Sequence, residues 1–320
     1  MHGGSGQRPA AARREERLPV SGDIQPVGKR LRAAAERFGA RWGIPRRYGS
    51  YEALAADPDV DVIYIATPHS LHAENIRLCL EAGKHVLCEK PLTLNARQAA
   101  DCIALARQKG LFLMEAVWMR FFPAIRQVQD WVRGGAIGAV RLLQADFCFH
   151  LPFDPANRLY DPALGGGALL DVGIYPLSFA TLLLGFPQSV HGEALLAPTG
   201  VDLVDALTLV YPGALAQLSS SMGLEKPQEA WLLGEAGTIH VHAPFFHPET
   251  VTLTRRGAPP ETRTFPCPDN GYGYEIAEVH ACLRQGLTDS LRMPLDESRR
   301  LLALMDDLRA RWGVRYPGEQ

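Results

Sequence analysis

The sequence predicts two domains: an α/β domain built on a parallel sheet, then an α+β domain built on an open, mostly antiparallel sheet with helices on one face. Its 320 residues correspond to about two domains of ordinary size. The first third alternates apolar segments with amphipathic ones, which is typical of parallel βαβ units. The later part contains successive alternating segments without helices between them, which favours an antiparallel sheet with one covered face.

The composition and charge of the chain argue against several classes of protein. The chain is 47% hydrophobic and 21% charged, with a formal net charge of −2 and a pI of 6.6. These values give no electrostatic basis for binding nucleic acid or an anionic membrane. The sequence has no apolar run of about 18 residues and no signal-peptide core. Its six cysteines form no CxxC pair, which indicates reduced, mostly buried thiols. We therefore expect a cytoplasmic protein.

The first domain is expected over residues 27–121. Before it, residues 1–26 are polar and aperiodic, and they are predicted to form a flexible segment. Residues 31–43 have helical spacing, and Ser50 is a candidate N-cap for a short helix. Strands and helices then alternate in the order strand 60–68, helix 72–83, strand 85–91, helix 95–110 and strand 111–119.

The second domain is expected over residues 122–320. It begins with a helix after Phe122 and a half-exposed strand over 140–149. A glycine loop then leads into an apolar helix within 163–185. Six strand segments follow, from SVHGEALLA to TVTLTRR, and two helices over 272–286 and 297–313 end the chain.

Polar residues follow three of the parallel strands, in the segments TPHSLH, CEKP and MEAVWMRFF. Open α/β sheets bind ligands outside the carboxyl ends of their strands. His69 and His72 are candidates there, although capping or surface roles explain them equally well. Lys90 is a stronger candidate, because Pro91 fixes the direction of the chain and a paired lysine can bias the pKa of a neighbouring acid. The alternative is a lysine that simply reaches solvent.

A second group of candidates lies in GGGALLDVGIYPL, residues 165–177. Asp171 and Tyr175 are four residues apart and share one face of a helix. The three glycines before them permit a close approach of the backbone to a ligand. A tyrosine phenol can exchange a proton with a substrate. The alternative is a buried aspartate that caps a loop, beside an ordinary core tyrosine.

Other side chains give weaker indications. His240 and His242 alternate on one strand near His247, but neither a carboxylate nor a cysteine completes a zinc set. We therefore expect no metal site. The aromatic residues around the strand ends are more often core than ligand cage.

Taken together, EKP at 89–91, GGGALLDVGIY at 165–175 and the order of the two sheets resemble the glucose–fructose oxidoreductase / inositol dehydrogenase / MocA (Gfo/Idh/MocA) family. Within it, the segments YGSYEALAADPDVDVIYIATPHSLH, VLCEKPLTLNA and LFLMEAVWMRFFPA resemble the branch of dimeric dihydrodiol dehydrogenases. The similarity extends from about Val27 to Pro317. It implies a Rossmann-like nucleotide-binding domain, followed by a substrate and dimerisation domain.

The resemblance also implies an activity: hydride transfer between a nicotinamide, NADP rather than NAD, and a hydroxyl or carbonyl of a sugar, cyclitol or trans-dihydrodiol. Tyr175 would exchange the proton, Lys90 would lower the phenol's pKa, and Asp171 would hold Tyr175 or a substrate hydroxyl. A homodimer is expected. The cofactor would contact Lys29, Arg30, Thr67, His69, His72, Glu89, Lys90 and Trp118. The substrate would contact Trp118, Arg120, Phe149 and Phe246.

One part of the family pattern differs. Family members begin with a strand and G-x-G-x-x-[GA], whose amides hold a pyrophosphate. Here GGSG at 3–6 follows no apolar strand, so we expect the first βα unit to be missing. This leaves a second hypothesis, a cofactor-free relative that acts as a binding or partner protein. A Schiff base on Lys90 in an aldolase-like reaction is a third.

Overall fold

The computed structural model describes the backbone of residues 29–319 and the side chains from Arg32 onward. The predicted flexible segment 1–26 and the position of the first family βα unit lie outside the described residues. Two sheets organise the described chain, one with three strands and one with eight. The domain boundaries of the sequence analysis remain predictions.

The first unit is a three-stranded parallel sheet in the order β1-β2-β3 with helices packed against it. The strands are short, apolar and almost entirely buried, as expected for a parallel sheet that is covered on both faces. Its elements are α1 (Lys29–Trp42), α2 (Tyr51–Ala55), β1 (Val62–Ile65), α3 (His72–Glu81), β2 (His85–Glu89), α4 (Ala96–Lys109) and β3 (Leu113–Ala116).

Local signals in the sequence fix the ends of these helices. The Ser50 side chain caps α2 by accepting from the backbone N–H of Ala53 at 3.1 Å. Asn95 caps α4 in the same way by accepting from Gln98 N at 2.9 Å. Gly110 ends α4 in the left-handed conformation, with φ of 64°. These caps leave the carboxyl ends of β1 and β2 free to turn towards the second unit.

The second unit is an eight-stranded sheet in the order β11-β10-β9-β8-β4-β7-β6-β5. The predicted antiparallel arrangement holds for every neighbouring pair except β4 and β7, which are parallel. Its strands are β4 (Val140–Cys148), β5 (Ser189–Leu196), β6 (Asp202–Tyr211), β7 (Ala214–Ser221), β8 (Ala230–Gly234), β9 (Gly237–Val241), β10 (Thr250–Arg255) and β11 (Glu261–Thr264).

Four helices complete the fold: α5 (Pro123–Arg133), α6 (Ile174–Leu184), α7 (Tyr272–Arg284) and α8 (Leu295–Trp312). Helix α6 packs against β4 and β7, while α8 contacts α4 and β3 of the first unit as well as β5 and α6 of the second. A π-helical turn, Leu169–Gly173, leads directly into α6. The segment Pro162–Leu184 is long and apolar enough to span a bilayer, but 83% of its most apolar window is buried inside the protein. It is thus a core helix of this fold.

The cysteines occupy the positions expected of reduced thiols. All six are free, and five of them are buried, Cys267 being the half-buried exception. Burial raises the pKa of the Cys79 thiol to about 12 and that of Cys102 to about 11. Both thiols are therefore protonated near neutral pH and unreactive.

Candidate active site

A cavity of about 580 Å³ lies at the carboxyl ends of the three parallel strands, between the two sheets. This is the position at which open α/β sheets bind their ligands. Both units line it, so that the cavity depends on their packing. The lining residues are Tyr64, Ala66, Thr67, Pro68, His69, Glu89, Lys90, Trp118, Phe147, Phe149, Arg158, Asp171, Val172, Tyr175, Phe246 and Tyr272.

Lys90 and Asp171, 81 positions apart in the sequence, meet in this cavity. The ammonium Nζ of Lys90 donates to the backbone oxygen of Asp171 at 2.5 Å and to its Oδ1 at 3.3 Å. Lys90 follows β2, and Asp171 lies in the π-helical turn before α6. The pair therefore ties the tip of a parallel strand to the helix that carries Tyr175.

The carboxylate of Asp171 is stabilised in its charged form. Burial alone would raise its pKa, but the attraction of Lys90 and of Arg158 outweighs burial and lowers the pKa to about 2. Both cations approach the same oxygen, Oδ1. Oδ2 makes no hydrogen bond within residues 29–319. It is thus the oxygen of Asp171 that can accept from a substrate hydroxyl.

Tyr175 lies one helical turn after Asp171, as the spacing predicts. Its ring centroid is 5.4 Å from Lys90 Nζ, and its hydroxyl has no protein partner in the described part of the chain. Burial, reinforced by the carboxylates of Glu89 and Asp171, raises the pKa of Tyr175 well above 10. Lys90 was expected to lower this pKa. In the structure the net shift is upward, because burial of the phenol dominates and the carboxylates of Glu89 and Asp171 add to it.

The two candidate histidines differ in position. His69 lines the cavity, its Nδ1 donates to Gly165 O at 2.8 Å, and its Nε2 lies 3.6 Å from Asp171 Oδ1. Burial lowers its pKa to about 3, so the ring is neutral near neutral pH. His72 does not reach the cavity. It is fully buried, with its ring nitrogens each 2.8 Å from a backbone oxygen, those of Pro91 and Thr67. Its expected contact with the cofactor stays a prediction.

Three further expected cofactor residues, Thr67, Glu89 and Trp118, come together on the strand side of the cavity. Thr67 Oγ1 accepts from Asn75 Nδ2 at 3.1 Å. Glu89 accepts a hydrogen bond from the Tyr64 hydroxyl. Burial raises the pKa of Glu89, an effect that Lys90 partly offsets.

An aromatic wall forms the side of the cavity opposite the strand tips. Phe147 and Phe246 stack with ring centroids 3.8 Å apart and planes inclined by 2°, and each lies within 6 Å of the Tyr175 ring. Phe149 stands next to Phe147 on the same strand face. Two of these three rings, Phe149 and Phe246, were expected to contact the substrate, and both line this cavity.

Arg120 does not line the cavity, unlike the other residues that were expected to contact the substrate. Its side chain is 2% exposed. The guanidinium pairs with Glu297 and donates to Ser178 Oγ at 2.7 Å. It therefore fastens the segment after β3 to α6 and α8, because a buried arginine requires charged and polar partners.

The remaining expected cofactor contacts, Lys29 and Arg30, begin α1, and their side chains lie outside the described residues. The structure adds seven lining residues that were not expected, and four of them carry an aromatic ring or a charge: Tyr64, Phe147, Arg158 and Tyr272. Strand periodicity could have identified Phe147, since it shares a strand face with Phe149. Arg158 follows no periodic segment, and so the sequence carried no signal for it.

The cavity fits a nicotinamide. Trp118 Nε1 is a buried donor without a partner in the described chain, and its ring lies 4.8 Å from that of Tyr272. A planar ring with an amide substituent can stack there and accept from this donor. Among residues 29–319, histidine, cysteine and acidic side chains form no group of three that could hold a metal ion.

Comparison with known proteins identifies the family. A family model described as an oxidoreductase family with an NAD-binding Rossmann fold matches residues 3–117. The GFO/IDH/MocA C-terminal domain matches residues 125–240. The first match covers the three-stranded sheet, and the second covers β4 to β8 and most of β9 in the large sheet.

Individual relatives agree with this result. Trans-1,2-dihydrobenzene-1,2-diol dehydrogenase of Homo sapiens is 37% identical over 310 residues, which are 93% of this chain and 91% of that protein. The Danio rerio enzyme of the same name is 39% identical, and the match covers 92% of this chain and 90% of that protein.

Solved structures are similar as well. A 3-ketoreductase of Actinomadura kijaniata in complex with NADP and TDP-benzene has a TM-score of 0.77 and 32% identity, and the match covers 88% of this chain and 87% of that chain. The aldose-aldose oxidoreductase of Caulobacter crescentus complexed with glycerol has a TM-score of 0.78 and 26% identity, covering 87% and 86%. Because the family models match both units and the relatives align over more than nine tenths of the sequence, the chain belongs to the Gfo/Idh/MocA family of nicotinamide-dependent oxidoreductases.

Proposed function

We propose that this protein is an NADP-dependent oxidoreductase that transfers hydride between the nicotinamide and a carbonyl or hydroxyl carbon of a sugar, cyclitol or trans-dihydrodiol. The observation that carries the proposal is the position of Lys90, which Asp171 holds over the ring of Tyr175 in a cavity at the strand ends. The proposal accounts for a cation, a carboxylate and a proton donor in one pocket.

The strand side of the cavity would hold the cofactor. Thr67, Glu89 and Trp118 would surround the nicotinamide and its ribose, while Lys29 and Arg30 would bind a 2′-phosphate. The NADP complex of the similar 3-ketoreductase supports this choice of cofactor. A bound nicotinamide would supply or accept the hydride.

Tyr175 would manage the proton. Because burial keeps its pKa well above 10, the phenol is protonated near neutral pH and suited to donate to the oxygen of a carbonyl as that oxygen becomes an alkoxide. Lys90 would stabilise the phenolate that remains, since its ammonium faces the ring. We infer that carbonyl reduction is the favoured direction near neutral pH.

The substrate would lie between Asp171 and the aromatic wall. Asp171 Oδ2 would accept from a substrate hydroxyl next to the reacting carbon, and Phe147, Phe149 and Phe246 would contact the apolar face of the ring. This combination suits a hydroxylated six- or five-membered ring. It is consistent with relatives named for a dihydrodiol and for aldoses.

We also propose that the protein works as a homodimer in the cytoplasm. Free, mostly buried thiols support a reducing compartment. Exposed apolar side chains on the strands of the large sheet, among them Leu195, Leu215 and Trp231, support an interface on that sheet. Light scattering at several protein concentrations tests the dimer, and a monomer at every concentration would reject it.

A titration of NADPH against the complete chain tests the cofactor proposal. We expect saturable changes in NADPH fluorescence and weaker binding of NADH, because the 2′-phosphate of NADPH adds charged contacts. Absence of a saturable change with either nucleotide would instead favour the cofactor-free binding protein. Borohydride trapping with a carbonyl substrate tests the aldolase-like alternative, in which a stable adduct would form on Lys90.

A further inference from the structure

The cavity contains a cation that the proposed proton chemistry does not use. Arg158 lies in the segment between β4 and the π-helical turn, and its side chain lines the cavity while remaining 50% exposed. Within residues 29–319 its guanidinium has one hydrogen-bond partner, Asp171 Oδ1, at 3.3 Å from Nη1 and 3.4 Å from Nη2. A ligand in the cavity can therefore reach it.

The hydrogen bonds between Arg158 and Asp171 lack the geometry of a strong ion pair. A paired arginine usually places two nitrogens on two carboxylate oxygens, at about 2.7–2.9 Å. Here both nitrogens approach one oxygen at longer distances, and Lys90 donates to the same oxygen at 3.3 Å. Asp171 thus has a countercharge without Arg158, and the guanidinium keeps N–H donors that can bind a ligand.

The lining of the cavity has as many carboxylates as cations, but only one carboxylate bonds to Arg158. Lys90 and Arg158 share Asp171, and Lys90 also interacts with the charge of Glu89. His69, packed against the carboxylate of Asp171, is neutral because burial lowers its pKa to about 3. The other acidic residue of the cavity, Glu89, is engaged by the Tyr64 hydroxyl at the tip of β2 and makes no bond to Arg158.

We propose that Arg158 is a specificity-determining residue that binds an oxyanion on the substrate, a carboxylate or a phosphate, so that sugar acids or sugar phosphates are preferred over neutral sugars. This rests on the proposed function, because it assigns the substrate class of the same cavity. The guanidinium matches planar and tetrahedral oxyanions through two parallel N–H donors. Its exposure places the anion at the mouth of the cavity, away from Tyr175.

Calorimetric binding of matched probes tests the proposal without requiring turnover. The probes are D-glucose, D-glucuronate and D-glucose 6-phosphate, with and without saturating NADP+. We expect the wild-type protein to bind at least one anionic probe about tenfold more tightly than D-glucose, which corresponds to one charge-assisted hydrogen bond. Arg158→Gln should abolish the preference, and Arg158→Lys should retain part of it. The tighter of the two anions identifies the source of the oxyanion.

Arg255→Gln is the matched control, since Arg255 is exposed on β10 and pairs with Glu261 outside the cavity. Absence of an anion preference in the wild-type protein would overturn the proposal. So would an unchanged preference in Arg158→Gln, which would indicate that the arginine only fastens its loop to Asp171. A tenfold loss of affinity for NADP+ in Arg158→Gln would show that Arg158 binds the cofactor, and it would also overturn the proposal. Failure of NADPH to bind would reject the proposed function but leave the probe comparison intact.

Discussion

Tyr175 is buried, with 7% of its surface exposed, and no described side chain bonds to its hydroxyl. Removing that hydroxyl leaves the packing of the ring against Phe147 and Phe246 unchanged. We expect Tyr175→Phe to lower kcat by roughly 10²–10⁴-fold with little change in KM, which is the size of a general acid contribution. Steady-state kinetics of carbonyl reduction measures this effect.

A matched control is available in β6. Tyr211 is buried, and its hydroxyl has no partner within the described chain, but it lies outside the cavity. Tyr211→Phe should leave kcat unchanged. Equal kinetics for Tyr175→Phe and the wild-type protein would reject Tyr175 as the acid.

Lys90 is the residue whose loss should affect both activity and stability. Lys90→Met leaves the buried carboxylate of Asp171 without its closest cation, and we expect a loss of roughly 3 kcal/mol of unfolding free energy near neutral pH. In the wild-type protein the pKa of Asp171 is lowered from 3.8 to about 2. Its contribution to stability is therefore present above pH 3.8 and lost as the pH falls towards 2.

The difference between Lys90→Met and the wild-type protein should accordingly shrink as the pH falls through that window. Denaturant unfolding at several pH values measures it. Lys84→Met provides the comparison, because Lys84 is also buried but donates to a backbone oxygen, that of Asp57, at 2.6 Å. A pH-independent difference for Lys90→Met would contradict the pairing with Asp171.

At the scale of elements, a buried carboxyl group of β6 holds the start of the π-helical turn that leads into α6. Asp202 Oδ2 accepts from the backbone N–H of Leu169 at 2.5 Å, at the start of the π-helical turn. Gly167, with φ of 121°, allows this approach, because a Cβ there would lie 2.3 Å from Asp202 Oδ1. The glycines predicted to meet a ligand therefore also admit a side chain of the protein itself.

Asp205, on the same strand, accepts from the Ser220 hydroxyl and is fully buried. Burial, reinforced by Asp202, raises its pKa from 3.8 to about 8. The stability linked to this group is present below pH 3.8 and lost as the pH rises through 8. As the pH rises across that window, the unfolding free energy of Asp205→Asn should increase relative to that of the wild-type protein, by about 1.4 kcal/mol per pH unit. Denaturant titrations between pH 5 and 8 test this. If the unfolding free energies of the two proteins change in parallel with pH, the pKa of Asp205 is not raised.

The sequence predicted most elements because their periodicity and caps are local properties. Three features escaped it for physical reasons. Strand β11 has the sequence ETRT, which carries no apolar alternation because it pairs only with β10 at the sheet edge. The parallel pairing of β4 with β7 joins segments about 70 residues apart and depends on packing. The π-helical turn depends on the fit of Asp202, which no local pattern encodes.

At the scale of the whole molecule, the site forms where the two sheets meet. The motifs located Lys90, Asp171 and Tyr175, because the family chemistry requires these residue types. The contributions of Tyr64, Phe147, Arg158 and Tyr272 depend on how the units pack. Packing also explains why His72 and Arg120 do not line the cavity: both are buried, although each follows a strand end that borders it.

Transfer of deuterium tests the central claim most directly, because it follows the reacting hydrogen rather than binding or structure. The complete protein is incubated with NADPH deuterated at C4 and with carbonyl probes that include neutral sugars, sugar acids and sugar phosphates, and the products are analysed by mass spectrometry. We expect deuterium on the reduced carbon with the wild-type protein and almost none with Tyr175→Phe or Lys90→Met. Deuterium-free products from the wild-type protein with every probe, or equal transfer by the Tyr175 variant, would contradict the account.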